Sequence, residues 1–167
     1  MIARLGTCSP NTYTENEFDQ NIFEVFNEAN YASSSYHSYS DEFYDRTIWH
    51  EQMGSTKFYD NHALVIKMLK GWPSDVNLFE EAYPHFKDQI PFFSFIVTAG
   101  THFPYDADST LGNRYLEQVQ SIYPDAPLNI QRYLSKAIEL DKAFEYLLNQ
   151  LKEDNLLEDT VIAMYSD

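Results

Sequence analysis

Pro91-Phe92-Phe93-Ser94-Phe95-Ile96-Val97-Thr98 is the stretch that decides the fold, a nearly continuous apolar run of strand length followed at once by Ala99-Gly100-Thr101-His102-Phe103-Pro104-Tyr105. Such a run lacks the alternation of a half-exposed strand and predicts a central strand of a parallel sheet, covered on both faces. Ligands of these sheets gather beyond the carboxyl ends of the strands, which puts His102 where chemistry can be done.

Outward from that strand the pattern alternates between helix and short strand. Phe18, Ile22, Val25 and Phe26 recur at helical spacing and predict an amphipathic helix from Thr14 or Glu15 to Asn30, a residue tolerant of the left-handed conformation. Residues 31–36 alternate aromatic and small side chains as a strand would, 37–46 form a polar, Tyr-rich loop, 47–53 a short helix closed by Gly54, and 57–59 a second short strand. Residues 63–69 are compatible with helix and are broken by Gly71-Trp72-Pro73-Ser74; Ser74 or Asp75 then caps a helix through Leu78, Phe79, Ala82 and Tyr83.

Residues 106–125 read as an irregular excursion, and Pro127 opens the longest helix. Its expected apolar stripe is Ile130, Leu134, Ala137, Phe144, Leu148 and Leu151, interrupted by Asp141, which is read as a satisfied structural hydrogen-bonder on a buried face. After an acidic turn, Thr160-Val161-Ile162-Ala163-Met164-Tyr165-Ser166-Asp167 reads as a buried strand delivering a carboxylate. The class is α/β, with a mainly parallel sheet flanked by helices.

Composition narrows the function. The 167 residues are 44% hydrophobic and 16% aromatic, enough for a packed core and too much for a disordered polymer. The formal net charge of -15 and the absence of any Lys/Arg cluster argue against a nucleic-acid or anionic-membrane surface. Cys8 is alone, so no intrachain disulfide forms, and no Cys/His cluster has zinc spacing. The first residues lack the apolar run of a signal peptide, and no stretch approaches the roughly 20 apolar residues that span a bilayer.

Side chains able to hold an anion collect at His37, at Tyr44-Asp45-Arg46 and at His102, with Asp167 as a metal-ligand type. Arg offers a planar fork of donors suited to phosphate or sulfate, His can donate to a phosphoryl oxygen or bind metal, and an aromatic can wall a polyol. Together they describe an anion pocket. His50, His62 and His85 have no such setting and are read as structural.

As an ordered set, His37 with Phe43-Tyr44-Asp45-Arg46, Met53-Gly54, Phe58-Tyr59-Asp60, Thr101-His102-Phe103-Pro104-Tyr105, Asp141 and residues 156–167 resemble the lipoteichoic acid synthase-like phosphoglycerol transferases of the sulfatase and alkaline phosphatase superfamily. The resemblance runs from about residue 10 to the end. It implies that residues 1–167 are part of a sulfatase-like catalytic domain, with the upstream nucleophile segment and the downstream metal-ligand segment missing. By the same resemblance, His37, Tyr44 and Arg46 would bind glycerol phosphate, His102 would contact the reacting phosphoryl group, and Asp167 would ligate a divalent ion, manganese or magnesium.

The complete protein would draw on a glycerophospholipid donor and a glycerol-phosphate polymer acceptor at the extracellular face of the cell membrane, held there by segments absent here, and would not bind nucleic acid. Tyr44 stands where the family often has Trp, and Asp45 where it often has Asn. Thr7 and Thr12 do not sit in the family's nucleophile context, so this chain alone is expected to be inactive. Sulfatase or phosphoethanolamine transferase chemistry within the superfamily, and a non-catalytic binding domain with a degenerate fold, are the alternatives.

Overall fold

The computed structural model describes residues 20–105 and 109–166. Its elements, in order, are α1 (Ile22–Glu28), β1 (Ala32–His37), α2 (Arg46–Gln52), β2 (Lys57–Tyr59), β3 (Met68–Leu69), β4 (Trp72–Pro73), α3 (Asp75–Phe86), β5 (Phe92–Val97), α4 (Thr110–Arg114), α5 (Leu116–Ile122) and α6 (Leu128–Glu153). β1, β2 and β5 form a parallel sheet in the order β2-β1-β5, with Ser35 opposite both Phe58 and Phe95, and β3 pairs with β4 as a small antiparallel hairpin. The α/β class and the parallel sheet stand as the sequence implies.

Successive residues of a strand face opposite sides of the sheet, and both sides of this one are covered. Tyr36 stacks on Tyr59 with ring centroids 5.1 Å apart and meets Phe86 of α3 edge-on. This face continues into the main core of Leu78, Phe79, Ala82, Tyr83, Ala143, Leu147 and Leu151, where α3 packs on α6. On the other face, Phe23 of α1 meets Phe93 and Phe95, Phe26 stacks on Phe93 at 4.3 Å, and His50 of α2 lies against Phe58 and Phe95.

Several expectations are corrected. The middle strand is β1, and β5 has only one sheet partner among the described residues, its side chains half-buried. The letters Ala-Ser-Ser-Ser-Tyr-His conceal this because most of the hydroxyls are satisfied inside: Ser34 Oγ and Tyr36 Oη share a hydrogen bond of 2.7 Å, and Ser35 Oγ pairs with Ser55 Oγ at 2.7 Å, while the buried Ser33 Oγ has no partner among the described residues. Residues 63–69 hold no helix; a turn leads into the β3-β4 hairpin around Gly71.

Within the excursion expected over 106–125, α4 and α5 form, α4 opened by Ser109, whose Oγ accepts the Gly112 N–H at 3.0 Å. Asn21 caps α1 by accepting the N–H groups of Phe23 and Glu24, so that helix is entered at Ile22; residues 1–19 lie outside the described ones. Phe23 is its buried anchor, while Ile22 and Val25 are exposed. In α6 the buried set is Gln131, Ser135, Lys136, Glu139, Ala143, Leu147 and Leu151, rotated from the expected stripe; Ile130, Leu148 and Asp141 face solvent. Residues 160–166 form no strand and are largely exposed, Val161 at 93%.

Candidate functional site

Parallel strands send their following loops out at one edge, so the loops after β1 and β5 emerge together. His37 is the last residue of β1, in register with Val97 at the end of β5. It is buried, and its Nδ1 lies 3.0 Å from the Val97 carbonyl. A carbonyl only accepts, so Nδ1 carries the hydrogen and Nε2 of the neutral ring is left as an acceptor. Burial pushes the imidazole down to about 4, and the nearby Arg46 guanidinium adds to the effect against the Val97 hydrogen bond. His37 is therefore neutral at pH 7, an acceptor and not the donor to phosphate that its residue type first suggests.

Tyr44, Asp45 and Arg46 enter α2 through a strained turn. Tyr44 (φ 65°) and Asp45 (φ 49°) are consecutive non-glycine residues in the left-handed region, each costing about 1 kcal/mol or more. That backbone leaves the Tyr44 ring exposed, with the Arg46 guanidinium 6.0 Å from its centroid. Asp41 fastens the turn: its carbonyl accepts the Arg46 N–H at 3.0 Å, and one carboxylate oxygen accepts the Glu42 N–H at 2.8 Å. The charge of Arg46 also reaches His50, buried on the same side and held at about 4 by burial, then Arg46, then His37.

His102 sits beyond β5, its imidazole exposed and stacked on Trp72 with centroids 5.6 Å apart. Its Nδ1 faces the Phe103 carbonyl, which leaves Nε2 as the second functional nitrogen. Gly100 permits this loop to pass close over Asp75: a Cβ there would stand 2.4 Å from Asp75 Oδ2. His37, Tyr44, Arg46 and His102 thus share the carboxyl edge of the sheet. His50 is core, His62 is exposed, and His85 packs on Tyr59 at 4.3 Å.

Asp167, Thr7 and Thr12 lie outside the described residues. Among the described residues no group of three or more His, Cys, Asp or Glu side chains comes together as metal ligands. These side chains alone do not make a divalent-ion site, and the chemistry derived from them is binding and orientation. Sequence reasoning passed over Asp75, Lys136 and Glu139, buried ionisable residues behind the His102 loop. Only Asp75 carried a signal, as a helix-start residue.

The comparisons with known proteins bear on the fold and the family. A family model described as Sulfatase matches residues 6–167. The chain is 24% identical over 155 residues to lipoteichoic acid synthase 2 of Bacillus subtilis, covering 89% of this chain and 22% of that protein. It is 27% identical over 143 residues to lipoteichoic acid synthase of Staphylococcus aureus, covering 82% of this chain and 21% of the relative. The crystal structure of the lipoteichoic acid synthase LtaP from Listeria monocytogenes superposes with a TM-score of 0.69 at 20% identity, covering 88% of this chain and 36% of that one, and supports the fold. The chain therefore spans about a fifth of the length of these curated relatives. With the family model matched by residues 6–167 and a parallel sheet flanked by helices, the chain belongs to the sulfatase family.

Proposed function

We propose that this chain is the glycerol-phosphate-binding part of a phosphoglycerol transferase of the lipoteichoic acid synthase kind. The observation that carries the reading is the shared edge itself: a neutral, acceptor histidine at the end of β1, an exposed aromatic beside an arginine in the following loop, and an exposed histidine past β5. Such a set suits a small polyol phosphate. His37 Nε2 accepts from a glycerol hydroxyl, the Tyr44 ring walls the carbon chain, the Arg46 fork takes the phosphate oxygens, and His102 meets the phosphoryl group that reacts.

Enzymes of the sulfatase family generally depend on a divalent metal ion. Manganese, or magnesium in its place, belongs to this reading as the cofactor of the complete domain, with Asp167 as one ligand. The glycerophospholipid donor, the glycerol-phosphate polymer acceptor and the extracellular face of the membrane likewise belong to the complete protein; among the described residues no helix is long and apolar enough to cross a membrane. The chain by itself should leave a chromogenic phosphodiester intact in the presence of manganese. Turnover above the metal-only rate that is lost in Asp167→Ala would contradict this.

Titration of the isotopically labelled chain with sn-glycerol 1-phosphate, followed by NMR, tests the binding. His37, Arg46 and His102 resonances should move together, and His37→Ala or Arg46→Ala should weaken the response about tenfold or more. Free glycerol phosphate that moves none of them contradicts the reading. Asp45 beside Arg46 favours one rival, a cationic head group: tighter binding of phosphoethanolamine than of glycerol phosphate would shift the assignment to a phosphoethanolamine transferase.

A further inference from the structure

Behind the loop that carries His102 stand buried charges of opposite sign. Lys136, within α6, is fully buried, and its ammonium donates to the His102 carbonyl at 2.7 Å. The same ammonium is 4.0 Å from the centre of the Trp72 ring and 5.5 Å from that of Tyr105, within the range of a cation–π contact. Trp72 is also the indole on which the His102 imidazole stacks. At the other end of the loop, Oδ1 of the fully buried Asp75 accepts the N–H groups of Ala99 and Gly100 at 3.2 and 3.0 Å.

The segment leaving β5 is thus fastened by a carboxylate on α3 at its near end and by an ammonium on α6 at its far end. Lysines are almost never fully buried unless paired, because removing an ammonium from water is costly. Packing alone would be served by Leu or Met at that position. Burial pulls the Lys136 ammonium below its ordinary range, and the Asp75 carboxylate opposes that. The hydrogen-bond acceptor of Lys136 is the residue whose side chain is offered at the sheet edge.

We propose that Lys136 is a positioning residue for His102: its ammonium locks the His102 carbonyl and the Trp72 indole in one arrangement and so sets where the imidazole stands, with Asp75 as the counter-anchor. The importance of that placement rests on reading His102 as the phosphoryl contact; the placement itself can be measured without any substrate. A failure here and a failure of the glycerol-phosphate titration are therefore separate results.

The experiment is solution NMR of the chain with Lys136→Met, which keeps the length and removes the charge, and Lys136→Arg, which keeps a cationic donor. In Lys136→Met the His102 ring resonances should lose the displacement that the stacked indole gives them, while those of β1 and β5 stay in place. Lys136→Arg should restore that displacement at least in part. A folded Lys136→Met with His102 ring resonances coincident with those of the unaltered chain overturns the proposal. A displacement lost in Lys136→Met and not recovered in Lys136→Arg assigns the effect to packing and overturns it too. Should the Met variant fail to fold, the unaltered chain decides: Lys136 Nζ protons should exchange with water far more slowly than those of Lys142, and equal rates overturn the proposal.

Discussion

Gly100 is held to glycine by a neighbour, since the Cβ of any other residue would overlap the Asp75 carboxylate. The carboxylate cannot retreat without releasing the Ala99 and Gly100 N–H groups that it accepts. Gly100→Ala should therefore cost about 1–3 kcal/mol or more, read as a fall in the thermal midpoint together with faster exchange of the Ala99 and Gly100 amides. An alanine variant with an unchanged midpoint would mean that the loop yields freely. At this scale the sequence offers candidates where residue type suggests a chemistry. His37, Tyr44, Arg46 and His102 could be singled out because imidazole, guanidinium and phenol are what an anion or polyol site needs. Lys136 could not, because a lysine in an amphipathic helix reads as solvated until Trp72, from a distant hairpin, is seen beneath its ammonium.

Among the elements, α3 depends on one hydroxyl. Ser74 Oγ accepts the Asn77 N–H at 3.3 Å and donates to the buried Glu139 carboxylate at 2.6 Å, tying the start of α3 to α6. Ser74→Ala removes the cap and leaves Glu139 with Arg114 at 2.8 Å as its strong remaining donor. The expected loss is about 1–2 kcal/mol for the cap and somewhat more for the Glu139 Oε1 left without its donor, measured by urea denaturation. Ser74→Thr should recover most of it. The sequence narrowed this cap to Ser74 or Asp75 because a small polar residue before an acidic first turn is a local signal, and the structure gives it to Ser74. The stripe of α6 was not readable from sequence: its inward face carries Gln131, Ser135, Lys136 and Glu139, whose partners lie on other elements, so polarity pointed the wrong way. Ser135 Oγ donates to the Leu111 carbonyl and accepts the Tyr115 N–H, which also holds the two helices that the irregular reading of 106–125 overlooked.

Over the whole molecule, buried ionisable groups set an acid limit. His37 and His50 hold folded values of about 4 against an ordinary 6.5, so the unfolded chain takes up protons that the folded one refuses. Their contribution is complete above pH 6.5 and is lost as pH falls toward 4, roughly 3 kcal/mol for each histidine. Asp75 runs oppositely: burial raises it from 3.8 to about 6, so the folded chain gains relative stability as pH falls through that window. Two histidines outweigh one aspartate. The thermal midpoint should drop between pH 7 and pH 4, His50→Phe should flatten the fall, and Asp75→Asn should steepen it; a midpoint unchanged across that range would place the histidines in contact with water.

That β5 stands at an edge of the sheet among the described residues has a colloidal consequence. An edge strand presents unsatisfied amide and carbonyl groups to any copy that approaches, and the nearby exposed Val161, Met164 and Tyr165 add apolar surface. Long-range repulsion between chains of formal charge -15 opposes such pairing, and it acts over about 10 Å at 0.1 M salt and about 3 Å at 1 M. Sedimentation should therefore find single chains in dilute buffer and growing assemblies as sodium chloride is raised. A chain that stays monodisperse in molar salt would locate the safeguard in residues 160–166, acting as a physical cover over the strand.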